Sequence, residues 1–524
     1  MNIDRRKFIA TSSAALLSQR ARLLAQTKAG SNPGAASRER APEFIMPVFE
    51  PVQPDLFSAA GAQPNCWADF DNDGDLDLFV GFKAGLPNRL YRNDRGTFQE
   101  VSAELGVDDL TDTRAASWGD FDSDGNIDLY VGFTRKSGMR NKLYRNEGKK
   151  FVDVAHDLGV DVVGETRQVS FVDFDNDGKV DMFVAFRDAP NMLFRNEGNR
   201  FVNIAGDLGV ADPRKTVGAV WFDYNRDGRL DVFTANQDGT LNGLFRNDGN
   251  RFVDVAHELG MDAFGRPSNY GSNGPSVIDF DNDGNLDLFV AGYGANFLFK
   301  ADGRGSFQNI AAEMGIMGGD QATPSAWCDY DNDGRLDAYV SSYILHPLNE
   351  HDHFYHNAGN HFSEVIPWQM LRTGATHGIQ WADFDGNGAL DLAMANNNPN
   401  GHHYLWRNLL PAERAARSLQ LLIVDDRGRY TKAGSEVRIY AVGTRQVLAS
   451  RLVDTGSGYC SQNVSPVHFG LPAQGPVDIE VTSMSKSGRK ITRMPAVDPA
   501  RLSSRVLTIK VSENQAEANQ AVLA

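Results

Sequence analysis

Seven times between residues 69 and 391 the chain spells D-x-(D/N)-x-(D/N)-G-x-x-D, and each copy runs straight into a short apolar stretch, as in "WADFDNDGDLDLFVG" at 67–81. The copies begin at Asp69, Asp120, Asp173, Asp223, Asp279, Asp329 and Asp383, 50–56 residues apart. A period of this length belongs to an array in which each unit buries its apolar face only against its neighbours. Two more phrases share it. "NRLYRN" at 88 recurs in weakening form as far as "HYLWRN" at 403, and F-x-x-(V/I) starts at Phe49, Phe98, Phe151, Phe201, Phe252, Phe307 and Phe362. The phases differ, because an F-x-x-V precedes the first acidic copy and none follows the last "LWRN". An open solenoid gains nothing from that offset. A ring does: the strand at Phe49–Val52 can complete the last blade and leave no unpaired edge. The fold class predicted is all-β, a seven-bladed β-propeller over 44–410.

Strand chemistry agrees, since "IDLYVGF" and "LDLFVAG" are short, β-branched or aromatic, and bounded by Gly and Asn. Trp67, Trp118, Phe171, Trp221, Val277, Trp327 and Trp381 stand two positions before the acidic copies, a place expected to be inter-blade core. From Leu419 the pattern changes to alternating strands without acidic loops, read as a small β-sandwich over 417–511 with a polar tail at 512–524. Within it, Gly456, Gly458 and Tyr459 are expected to form a tight register-setting turn, and His468 to pack on a strand.

The aspartates have a reason. Oxygens at loop positions 1, 3 and 5 project inward along a tight curve, Gly at 6 permits a positive φ, and the carbonyl at 7 and carboxylate at 9 close the shell. Six or seven hard oxygens suit Ca²⁺ better than Mg²⁺, which demands a strict octahedron. The start matches an EF-hand, but that loop closes with Glu at 12 between helices, whereas here Asp at 9 leads into a strand. The ligands predicted for about seven mainly structural Ca²⁺ sites are Asp69, Asp71, Asp73 and Asp77; Asp120, Asp122, Asp124 and Asp128; Asp173, Asp175, Asp177 and Asp181; Asp223, Asn225, Asp227 and Asp231; Asp279, Asp281, Asp283 and Asp287; Asp329, Asp331, Asp333 and Asp337; and Asp383, Asp385, Asn387 and Asp391. Seven divalent ions would nearly cancel the formal charge of −16. The acidity is therefore metal-site charge rather than a face for a basic partner, and it excludes a nucleic-acid footprint.

"MNIDRRKFIATSSAALLSQRARLLAQ" places Arg5 and Arg6 before an apolar stretch, the layout of a twin-arginine-type export signal over 1–26 with cleavage near Ala25 and a polar linker at 27–43. A periplasmic or extracellular location is expected, with no transmembrane segment and a monomeric state. Cys66, Cys328 and Cys460 make no disulfide framework.

The acidic loops resemble the FG-GAP/VCBS calcium repeats of integrin α-subunit propellers and their bacterial relatives. Residues 434–471, with "GSGYCSQNVSPVHFGL" at 456–471 as their specific part, resemble the ASPIC/UnbV domain of the cartilage acidic protein family. The resemblance implies export, calcium and interaction.

If the acidic loops occupy one rim, the other carries the starts of the first strands, where the ring reads Gln63, Arg114, Arg167, Val217, Asn273, Thr323 and His377. Two arginines and a histidine at one mouth suit a carboxylate, sulfate or sugar acid. A second hint is that eight of the eleven histidines fall between 346 and 403: His346, His351, His353, His356, His361, His377, His402 and His403. With Glu350 and Asp352 they are candidates for a transition-metal or acid–base site. The function expected is a binding protein presenting its rim to an extracellular glycan, protein or small acidic ligand. The alternative is a lyase, hydrolase or cyclase using the funnel through Arg114, Arg167, His377, His351, His353 and His402. No nucleophile elbow, P-loop or dinucleotide fingerprint is present.

Overall fold

The computed structural model describes residues 44–512 apart from 84, 319–320, 344–350, 372–375, 398–401 and 503. The expected export signal, the linker, the tail beyond 512, His346 and Glu350 lie outside the described residues.

Among the described residues the repeats build seven antiparallel sheets of four strands, one of which gains a short fifth strand from the C-terminal part of the chain. Their first strands, Ala62–Ala68, Thr113–Gly119, Thr166–Val172, Thr216–Phe222, Gly271–Ile278, Ala322–Cys328 and Thr376–Ala382, define blades 1 to 7. Blade 3 illustrates how the phrases map. The acidic loop joins Thr166–Val172 to Asp181–Phe186, the "LFRN" phrase is Met192–Asn196, and F-x-x-I starts Phe201–Asn203. The first strands are almost wholly buried, because each lies against the first strands of the blades on either side. That of blade 7 lies against that of blade 1, so the sheets close a ring. Blade 7 has only three strands of its own, Thr376–Ala382, Asp391–Asn396 and Tyr404–Asn408. Phe49–Pro51 supplies its fourth, pairing antiparallel with Phe49 opposite Asn408 and Pro51 opposite Trp406. The phase offset of the sequence is the seam of the ring.

Between blades the core is aromatic. Trp67, Trp118 and Trp221 are fully buried and Phe171 nearly so, while Trp327, Trp381 and Val277 are half-buried. Trp67 stacks on Phe384 of the preceding blade (6.1 Å, 14°), and Trp221 meets Phe183 edge-on (5.4 Å). Ring pairs of this kind join neighbouring sheets through large apolar area with preferred geometry.

The C-terminal strands form two sheets. Ser418–Asp425 pairs with Val467–Gly470 and, in parallel, with Val506–Val511. The second sheet runs in the order Val447–Leu452, Glu436–Ala441, Val477–Ser485, Gly488–Val497. Leu419, Leu421, Val437, Ile439, Phe469 and Ile479 fill the one core they share. His468 lies on a strand and is buried.

Candidate functional site

The seven acidic loops share one hydrogen-bond pattern. The carboxylate at position 1 accepts from the backbone N–H groups at 5 and 6, as Asp69 does from Asp73 (3.0 Å) and Gly74 (3.0 Å). The carboxylate at 9 accepts from the third strand, as Asp77 does from Asn93 (2.8 Å). Gly74, at position 6, has φ +96°, the conformation that glycine is there to provide. Position 4 is left-handed as well, at Asn72, Ser123, Asn176, Arg226, Asn282 and Asn332, a second reversal that the sequence reading did not assign.

Asp69, Asp71 and Asp77 bring three carboxylate oxygens within 4.8 Å of one another, as do Asp120, Asp122 and Asp128, and Asp173, Asp175 and Asp181. Such clusters can hold a metal ion. Burial raises their carboxyl pKa values, and neighbouring loop carboxylates add to it. Asp69, Asp120, Asp279 and Asp383 are pushed up to about 6, and Asp77, Asp181 and Asp287 to about 9. One oxygen each of Asp181, Asp281 and Asp391 is buried without a hydrogen-bond partner. Buried acceptors facing other carboxylates are what a cation would satisfy and a purely hydrogen-bonded turn would not. The donor set, all oxygen, fits calcium.

The last residue of the "LYRN" phrase fastens the ring. Asn196 Nδ2 donates to the carbonyl of Val180 in its own loop (2.9 Å) and to that of Phe121 in the loop of the preceding blade (2.8 Å). Asn93, Asn146, Asn247, Asn357 and Asn408 repeat the cross-blade bond to Phe384, Phe70, Phe174, Phe280 and Tyr330. Blade 5 has Ala301 at this place and no such bond. The repeated phrase was the available signal; its partner could be found only once the order of blades in space was known. Asn196→Ala orphans two buried carbonyls, so a cost of about 2–4 kcal/mol is expected in urea denaturation with calcium present. A cost under about 0.5 kcal/mol, that of an ordinary surface substitution, would contradict the fastening role.

The chain after residue 453 enters the ring. Thr455 Oγ1 exchanges hydrogen bonds with the backbone of Trp221 (2.8 and 2.9 Å), and the Gln462 side chain does the same with Phe171 (2.7 and 3.1 Å). Asn463 Oδ1 accepts from Trp67 N (2.9 Å), and Ser461–Gln462 pairs in parallel with the first strand of blade 2. Half-buried Asp454 ties the turn together, accepting from Gly456 N, Ser457 Oγ and Asn463 N. The turn therefore does not stay inside the C-terminal sandwich to set its register, as expected; it plugs the channel from the side of the acidic loops. Two cations from outside the ring also reach those loops: Arg489 of the second C-terminal sheet lies on Asp223 (2.8 Å), and Arg414, just before the first C-terminal strand, lies near Asp331 (3.7 Å).

The FG-GAP-like repeat family matches residues 69–131, 173–234, 223–290 and 279–340, and the ASPIC and UnbV family matches 427–509. The chain is an FG-GAP-repeat protein with a C-terminal ASPIC/UnbV domain. No curated protein matches it. Among solved structures it is similar to an Agrocybe aegerita lectin that recognises non-reducing terminal N-acetylglucosamine, at 17% identity and TM-score 0.39 over 70% of this chain and 94% of that one. It is also similar to the BBS1N part of a complex with ARL6DN (10% identity, TM-score 0.44, 70% of this chain and 98% of that one). A third is the extracellular domain of the hybrid two-component system BT3049 of B. thetaiotaomicron (10% identity, TM-score 0.42, 86% of this chain but 48% of that one).

The ASPIC/UnbV plug changes the reading of the expected funnel. Gln63, Arg167, Val217, Asn273, Thr323 and His377 line the channel and are buried; Arg114 is partly exposed. Arg114, Arg167 and His377 do converge, but on Tyr459. Arg167 Nη1 donates to Tyr459 Oη (2.6 Å), Arg114 lies over its ring (6.0 Å), and His377 meets it edge-on (4.9 Å). Glu165 sits 3.2 Å from Arg167 and 3.9 Å from Arg114. Glu165 thus offsets one of the two guanidinium charges, and Tyr459 occupies the space between them and His377. Between the acidic loops of blades 1 and 7 and the ASPIC/UnbV sheet there remains a cavity of about 520 Å³, lined among others by Asp69, Leu76, Phe384, Leu422, Val464 and Arg505.

Nor do the described histidines gather. His402 bonds the Ser58 carbonyl (2.6 Å), and His403 is buried against Phe57, Phe82 and the Tyr91 hydroxyl (3.0 Å). His356 lies 3.1 Å from Asp337, His361 bonds its neighbour Asn360, and Asp352 accepts from Thr376 and Tyr339. Alternate strand residues face opposite sides, and the two loops serve different blades. His351 and His353 alone stay together, both on Glu364.

Proposed function

We propose that this protein acts outside the cytoplasm as a calcium-loaded recognition module that binds a protein or glycan surface through the rim opposite its acidic loops. The observation that carries this reading is where exposed apolar groups collect. Leu110, Val163, Phe264, Met317 and Trp368 lie in segments joining one blade to the next, and Tyr343 follows a second strand, all at the strand ends away from the acidic loops. Phe264 and Trp368 are each 77% exposed. Aromatic and apolar side chains held on loops by a rigid ring are typical of binding faces. The acidic rim, by contrast, lies under the ASPIC/UnbV domain.

Calcium, with the ligands named from the sequence, is the ion this reading requires. Its part is to neutralise the loops; the chain's own residues set their shape. Export follows from the Arg5–Arg6 segment and from loops suited to the millimolar calcium outside cells. Among the described residues no helix is long and apolar enough to cross a membrane.

A small acidic ligand is less favoured at the channel mouth, where Tyr459 and Glu165 occupy the arginines. The cavity beside Arg505 suits it no better, because Asp69, Asp75 and Asp383 line it together with the one arginine. The enzyme reading through Arg114, Arg167 and His377 requires Tyr459 to leave the channel. Calcium-loaded protein is to be probed against glycan arrays and extracellular protein fractions. The expected result is a ligand retained by the wild type and lost in a Phe264→Ala/Trp368→Ala double variant whose melting temperature is unchanged. Binding that survives this variant and vanishes in Arg505→Ala would move the site to the cavity and overturn the rim assignment.

A further inference from the structure

Blade 6 carries a cluster that neither the acidic loops nor the plugged channel uses. His353 opens the strand His353–Asn357, and His351 precedes it by two residues, so the two side chains leave the same face. Glu364 ends the neighbouring strand, paired in register with Tyr355. The third donor therefore comes from an adjacent strand, and strand pairing holds all three near one point. His351 Nε2 and His353 Nδ1 approach the same oxygen, Glu364 Oε1, at 3.0 and 2.9 Å. The three donor atoms all lie within 4.8 Å of one another. The His353 ring stacks on Tyr355 (5.5 Å, 13°), which fixes its plane.

These distances are close to those of a coordination shell. A tetrahedral zinc ion bound at about 2.0–2.1 Å holds its donors roughly 3.3 Å apart, so two of the separations need to open by only a few tenths of an ångström. Two imidazoles and one carboxylate form a borderline-soft set, suited to zinc and its neighbours; calcium prefers an all-oxygen shell. The side chains are 31%, 21% and 38% exposed, so an ion can reach them from solvent and keep a water. We propose that His351, His353 and Glu364 form a binding site for a zinc-class divalent ion, separate from the acidic loops, with its remaining coordination position open to solvent.

Full-length protein saturated with calcium is titrated calorimetrically with zinc, and in parallel with cobalt(II), whose visible absorption reports coordination geometry. One zinc per chain is expected, with a cobalt spectrum of low coordination number. His353→Ala and Glu364→Gln should each weaken binding at least tenfold, while His361→Ala, outside the cluster, should leave it unchanged. Calcium content and melting temperature are measured on every variant and should match the wild type, which separates failure here from failure of the calcium reading. Absence of saturable zinc binding, or binding indifferent to His353→Ala because zinc has entered the acidic loops, would overturn the proposal.

Discussion

Removing divalent ions from the purified protein with excess chelator is expected to lower its melting temperature by roughly 10 °C or more, with added calcium restoring it. The size of the effect follows from mass action. A site with a dissociation constant near 10⁻⁴ M contributes about 1.4 kcal/mol at millimolar calcium, and seven of them together contribute on the order of 10 kcal/mol. That is comparable to the whole stability of an ordinary domain. Without ions, five loops of four carboxylates and two of three are left facing one another, several of them buried with no donor in reach. Calorimetric scanning in chelator and then in excess calcium makes the comparison. A curve that does not move would remove the metal reading of the loops.

Tyr459→Ala is expected to destabilise the calcium-loaded protein by about 3–5 kcal/mol, because it empties an aromatic site in the channel and leaves buried Arg167 short of a partner. Tyr459→Phe keeps the ring against Arg114 and His377 and loses only the bond to Arg167, for which about 1.5–3 kcal/mol is expected. The two variants separate packing from hydrogen bonding. Gly458→Ala tests the same seat by crowding: its φ is +58°, and an added Cβ would collide with the Ile379 carbonyl. Urea denaturation at fixed calcium measures all three. If Tyr459→Ala costs under about 0.5 kcal/mol, the turn is not seated in the ring in solution.

The ring was legible in the sequence because its evidence is periodic and local. The acidic loop, the "LYRN" strand and the F-x-x-V strand recur in a fixed order, and the F-x-x-V surplus at Phe49 marks the seam that pairing with Tyr404–Asn408 forms. The plug was not legible. Tyr459 and Arg167 are separated by 292 residues and belong to different modules, so no spacing rule connects them. "GSGYCSQN" reads as a local turn until the strands on either side are seen to stand over the channel. The histidines failed in the opposite way, since nearness along the chain suggested a nearness in space that strand alternation undoes for all but His351 and His353. The rim position gave a half-answer: Arg114, Arg167 and His377 do meet, and what they meet is the chain itself.

The seam also dictates a timetable. Phe49–Pro51 leaves the ribosome some 350 residues ahead of its partner Tyr404–Asn408. Until then the nascent assembly is an arc with two bare β edges, an interval in which pairing with another chain competes with closure. Residues 454–463 are made later still, and their seat exists only when blades 1, 2, 3, 4 and 7 already stand around it. Insertion of that turn therefore follows the assembly of those blades, and a protease acting on slowly assembling molecules should find the arc cleavable and the sealed ring resistant.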